Sequence, residues 1–193
     1  MKKLNTIFTF SALSLAVLNG YAQEFEQHGA HEHGAASLKI VQQGNTVELL
    51  LETPAMNVIG FEHEPSSHEH FEIIEKAREQ LEKNESLFEF SKKAKCTLQS
   101  VEIESQLFEH DEHDEHDEHD EHDDHDDHEE NGATHSDVDV HWEYTCKKTK
   151  KIKTLSVNLL ETFPNFEELD VEYILDKSTG VEEINKSNST IKF

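Results

Sequence analysis

Apolar and polar positions alternate most cleanly near the middle of the chain. Val138, Val140, Trp142, Tyr144 and Cys146 take one side, and Asp137, Asp139, His141 and Glu143 take the other. That period of two predicts a half-buried strand. Leu38 to Val41, then Gln43-Gly44-Asn45, then Thr46 to Leu51 predict strand, turn, strand, with Thr53-Pro54 breaking the ladder. Leu98 to Phe108 and Lys153 to Phe163 read as further strands, and Val171 to Leu175 and Ile184 to Phe193 as the last ones. Only Ser66 to Lys83 has a firm helical period. It follows Pro65, opens with Ser66 and Glu69 at capping-box spacing, and carries Ile73, Ile74, Ala77 and Leu81 on one stripe. Mostly consecutive strands with one main helix predict an α+β single domain on a mostly antiparallel sheet.

The start of the chain departs from this pattern. Lys2 and Lys3 precede an apolar run from Leu4 to Leu18, and Gly20-Tyr21-Ala22 offers small residues before Gln23. Residues 1–22 therefore read as a signal peptide, too short and unflanked to serve as a membrane anchor. The rest divides into a His-containing arm (23–37) and a domain (38–193), interrupted by an acidic His-rich loop (109–136) expected to be disordered.

Charge changes the picture further. Asp and Glu number 42 against 17 Lys and Arg, a formal charge of −25. Such a chain is repelled by nucleic acid and by anionic membrane surfaces. The two cysteines, Cys96 and Cys146, bracket the acidic loop. In an oxidising compartment they predict a disulfide closing about fifty residues and pinning two strands at the base of the loop; thiolate metal ligation is the alternative.

From Glu109 to Glu130 there are 15 acids, 7 histidines and no other residue. His110, His113, His116, His119, His122, His125 and His128 recur every third position. The stretch has nothing apolar to bury and cannot offset its own ordering entropy. A helix would rotate successive imidazoles around its surface, whereas an extended three-per-turn chain would align them. Neutral imidazole is the commonest ligand for zinc, copper and nickel, and carboxylates complete such sites. The tract predicts moderate-affinity binding of Zn2+ or a similar borderline metal, against the plainer reading of a solvated spacer.

Eight more histidines lie outside it: His28, His31, His33, His63, His68, His70, His135 and His141. His31-Glu32-His33 and His68-Glu69-His70 repeat one unit. A more ordered site is expected where the arm, the helix start and the Val138 strand converge, although each imidazole singly suits a surface role. His63, in an apparently packed turn, has a structural alternative. No HExxH helix, Gly-rich phosphate loop or nucleophile–base pattern occurs, which predicts a non-enzyme.

Several segments together resemble one family. They are His28-Gly29-Ala30-His31-Glu32-His33-Gly34, Thr53 to Pro65 (TPAMNVIGFEHEP), Leu87-Phe88 before Cys96-Thr97-Leu98, Trp142 to Cys146 (WEYTC) and Leu160 to Pro164 (LETFP). The chain is similar to the ZrgA-like periplasmic zinc-binding proteins, first catalogued as a domain of unknown function. The resemblance implies a soluble periplasmic protein of a zinc uptake system that works with an ABC-type inner-membrane transporter. It also implies an α/β domain with a variable His/Asp/Glu-rich insert between the cysteine strands. The strict acid-acid-His repeat, and Val181 where Gln is expected after Gly180, depart from that pattern. Three functions follow: zinc capture and delivery; a sequestering buffer for zinc, nickel, cobalt or copper; and a metal-sensing adaptor for a membrane transporter.

Overall fold

In a computed structural model, which describes residues 32–83, 86–109 and 136–193, β1 (Ser37–Gln43) turns at Gly44, whose φ is +63°, into β2 (Thr46–Pro54). The antiparallel register runs from Ser37↔Glu52 to Gln43↔Thr46. Period two does what it predicts: Leu38, Ile40, Val47, Leu49 and Leu51 are interior, while Lys39 and Glu48 face outward. Pro54 does not break the ladder but ends it, paired with Asp137. A terminal strand position tolerates the missing N–H.

The remaining strands are β3 (Phe88–Phe90), β4 (Cys96–Glu104), β5 (Asp137–Cys146), β6 (Thr154–Val157), β7 (Glu168–Leu175), β8 (Ser178–Asn185) and β9 (Thr190–Lys192). The main sheet has the order β4-β5-β2-β1-β7-β8, antiparallel except for the parallel pair β1/β7, and β3-β6-β9 forms a second sheet. Helix α1 is Ala55–Ile59, α2 is His68–Lys83 and α3 is Leu159–Thr162. The fold class is the expected α+β.

Helix α2 covers the inner face of the main sheet through Ile74, Ala77 and Leu81. Buried Trp142 joins the two: its indole N–H donates to the Leu81 carbonyl at 3.0 Å, and its ring meets Phe88 edge-on at 4.9 Å. That bond satisfies the one polar group of a side chain otherwise suited to the core. The outer face of β2 and β5 carries Glu48, Glu52, Asp139, His141 and Glu143.

Three strand boundaries differ from expectation. Lys153 to Phe163 is strand only to Val157; Leu159, Leu160 and Phe163 are all buried, and that spacing shares a helical face but not a strand face. Ile184 to Phe193 is interrupted because Asn185 Oδ1 accepts from the Ser187 and Asn188 N–H groups, closing an Asx turn. Leu98 to Phe108 ends as a strand at Glu104, and Gln106–Phe108 is a 3-10 turn that buries Leu107 and Phe108.

Cys96 and Cys146 form the disulfide, 50 residues apart in sequence. Its place is not the base of the loop. Cys96 pairs with Cys146 at one end of the β4/β5 ladder, and the insert leaves from the other end, beyond Glu104↔Asp139. There the base is held by Ser105 Oγ, which donates to the Asp137 carbonyl at 2.7 Å. Arg78 of α2 donates to the Phe108 carbonyl, with its guanidinium 5.5 Å from the Phe108 ring centroid.

Candidate metal centre

The candidate site grows from the segment after β2. Helix α1 closes at Gly60, which takes the left-handed conformation (φ 84°) and donates to the Met56 carbonyl at 3.0 Å. A side chain would strain that cap. The chain then runs through buried Phe61 to Glu62, His63 and the start of α2. The Phe61 ring stacks on His63 at 5.0 Å and meets His70 at a tilt at 4.6 Å, and the two imidazoles are 5.0 Å apart. One aromatic side chain thus holds two histidines as neighbours.

His33 reaches this place from the opposite direction. Buried Asn57 holds the chain beside it: its Oδ1 accepts the Gly34 N–H at 2.7 Å, and its Nδ2 donates to Ala35 O at 2.9 Å and Thr53 Oγ1 at 3.0 Å. Gly34 O in turn accepts from Glu167 and Glu168 N–H. His33 Nε2 then lies 3.0 Å from Glu62 Oε1. Tetrahedral zinc with bonds of about 2.0–2.1 Å separates its donors by roughly 3.3 Å, so this pair already has near-ligand spacing.

The ring nitrogens are not equivalent. His63 Nδ1 is 2.8 Å from the Glu64 carbonyl, which can only accept, so Nδ1 carries the proton and the Nε2 lone pair is left for a metal. His70 is the reverse. Its Nδ1 accepts the Ser66 N–H at 3.2 Å, so the neutral ring is protonated on Nε2. At the same time Ser67 Oγ accepts the His70 N–H at 3.3 Å. Ser67 thus caps the helix one residue later than Ser66 was predicted to, and His70, at the third helical position, reaches back past the cap to the Ser66 N–H. His70 can ligate only by giving up the Ser66 bond.

The other expected ligands are elsewhere. His68 is exposed and pairs with Glu72 Oε1 at 3.3 Å. His141 projects from the outer face of β5, opposite α2, with Nε2 3.4 Å from Glu48 Oε2. It lines an open concavity with Leu50, Glu52, Glu102, Glu104 and Asp139. Burial, then the charges of Glu52, Asp137 and Glu104, raises the Asp139 carboxyl above its ordinary range, with Lys39 opposing. His141 therefore belongs neither with His33 and Glu62 nor with His63 and His70. His28, His31, the seven tract histidines and His135 lie outside the described residues. Among the described residues, no three His, Cys, Asp or Glu side chains gather closely enough to hold a metal ion. The site consists of two pairs, His33 with Glu62 and His63 with His70.

Asn57 was not singled out by the sequence reasoning. The signal was a polar residue within the apolar run Ala55 to Phe61. Ser136 was missed as well: its Oγ donates to the Glu62 carbonyl at 3.0 Å, which sets the start of β5 beside the acid that pairs with His33.

Among the described residues, no helix is long and apolar enough to cross a membrane. No curated protein sequence matches the chain. The model of the family described as ZrgA family zinc uptake protein matches residues 30–193, from the His-containing arm through β9. The chain belongs to the ZrgA family of zinc uptake proteins.

Proposed function

We propose that this protein captures Zn2+ in the periplasm after removal of residues 1–22 and delivers it to an ABC-type inner-membrane transporter. The observation that carries the reading is the pairing of His33 with Glu62 beside Phe61-packed His63 and His70. His63 Nε2 and the His33–Glu62 pair offer borderline nitrogen and hard oxygen donors, a set that suits zinc. His31 and His135 adjoin His33 and Ser136 in sequence, and both of those residues touch Glu62. They are the candidates to complete the coordination. The His110–His128 tract supplies a second, weaker class of sites, and its carboxylates raise the local cation concentration.

Calorimetric titration of the natively processed protein with zinc should resolve two classes of site. Deleting Glu109–Glu130 should remove the weaker and spare the tighter. His33→Ala with His63→Ala should do the opposite. Full zinc capacity after the deletion would sink the collecting role of the tract. Zinc-limited growth that is indifferent to loss of the gene would favour a sequestering buffer over delivery.

A further inference from the structure

The net charge conceals a strong segregation. Lys92, Lys93 and Lys95 lie in the turn between β3 and β4, and Lys147, Lys148, Lys150, Lys151 and Lys153 lie between β5 and β6. Backbone bonds from Lys147 N to Lys95 O (3.2 Å) and from Lys148 N to Ala94 O (2.9 Å) zip the two segments together. Lys177, in the β7–β8 turn, joins Lys150 and Lys153 around a shared depression. All nine side chains are exposed, and among the described residues none forms an ion pair. Residues 91–101 and 145–160 contain no acid, and Asp176 is the one carboxylate in the β7–β8 turn. This lysine pole is the disulfide end of the sheet, opposite His33, Glu62 and the ends of the insert.

We infer that the lysine pole docks the protein on a bilayer through anionic phospholipid headgroups. Three features argue for that occupant. First, the length of the sheet separates the pole from the carboxylates at its far end, Glu104, Asp137 and Asp139. The ten residues of β5 span about 30 Å, several times the Debye length of about 8 Å at physiological ionic strength. A surface touching the pole feels the lysines and little of those far carboxylates, so their repulsion is screened at contact. Second, the cations are all lysines. The only arginine is Arg78, which is engaged with Phe108 on α2. Flexible point charges suit a fluid field of phosphates, whereas protein interfaces favour arginine and aromatic anchors and are depleted in lysine. Third, nine lysines exceed the about 4–8 basic residues of clusters that bind anionic lipid. The inference does not rest on the zinc reading. It orients the candidate metal centre away from the bilayer.

The test is vesicle flotation of the natively processed full chain in chelator, so that no metal bridges its carboxylates to lipid. Vesicles of phosphatidylcholine alone are compared with vesicles containing three-tenths phosphatidylglycerol. Selective binding to the anionic vesicles is expected, lost as salt rises from 50 to 300 mM. Lys147→Gln/Lys148→Gln/Lys150→Gln/Lys151→Gln should weaken partitioning at least tenfold, and Lys92→Gln/Lys93→Gln/Lys95→Gln should weaken it independently. Lys76→Gln/Lys83→Gln/Lys186→Gln should leave it unchanged. Thermal melting of each variant separates charge from folding. Equal binding to both vesicle types, or unchanged binding by both pole variants, would overturn the inference. So would capture of an acidic protein through these lysines without any vesicle preference.

Discussion

Asn57 accepts the Gly34 N–H at 2.7 Å, and through that contact a buried carboxamide on α1 fixes the approach of His33 to Glu62. Both of its other polar partners, Ala35 O and Thr53 Oγ1, are also internal, so removing it leaves donors and acceptors stranded in a dry place. Asn57→Ala should destabilise the fold by about 2–4 kcal/mol, read as a lower urea midpoint at unchanged slope. Asn57→Asp keeps the Gly34 bond but sets a buried carboxylate oxygen against the Ala35 carbonyl, and should cost at least as much at pH 7.

Opening the disulfide should cost stability without touching the metal end. The chain-entropy estimate for a loop of this length is about 4 kcal/mol. Cys96→Ser/Cys146→Ser should unfold at a markedly lower temperature. While folded, it should keep the wild-type zinc stoichiometry in native mass spectrometry. A loss of zinc sites in the folded variant would show that the two ends of the β4/β5 ladder are coupled.

Zinc and the start of α2 compete for His70. If His70 ligates, its bond to Ser66 N–H must open, and amide exchange at Ser66 should quicken on adding zinc. His70→Ala should destabilise the metal-free protein by about 1 kcal/mol, the usual worth of a helix N-terminal cap. Unaltered exchange at Ser66 at saturating zinc would remove His70 from the ligand set.

The outer sheet face carries a measurable pH dependence. Asp139 binds its proton more tightly when folded than when unfolded, because burial and then Glu52, Asp137 and Glu104 disfavour its charge. Its contribution is fully favourable below the ordinary value of 3.8 and is lost as pH rises through the raised folded value. Asp139→Asn should therefore be more stable than wild type at pH 7 in chelator, and the difference should vanish below about pH 3.8. Denaturant titrations at the two pH values check both halves.

Where one periodicity governed a segment, the sequence was sufficient. Val138 to Cys146 and Val47 to Leu51 became β5 and β2 with the expected sides inward, because a one-residue slip would expose Trp142. Where two patterns overlapped, it was not. Leu155 and Val157 alternate into Leu159, and only the burial of Leu160 and Phe163 reveals the turn of helix. The candidate site was legible as residue types and not as an arrangement. His33, His63 and His70 were named, yet what brings them together is Asn57, Phe61 and Gly60, whose roles depend on contacts far apart in sequence. His141 carried the right chemistry but stands across the sheet from α2, a separation fixed by the partners of β5 rather than by its own residues.

Glu104 and Asp139 sit opposite each other as the last ladder pair before the insert, with Ser105 bonded to Asp137 just beyond them. Two chain ends that close need only a short hairpin between them to complete the ladder. Lengthening a loop twofold costs only about 0.6 kcal/mol in closure entropy. Changing the number of acid-acid-His repeats should therefore leave the described strands, the disulfide and the His33–Glu62 pair as they are.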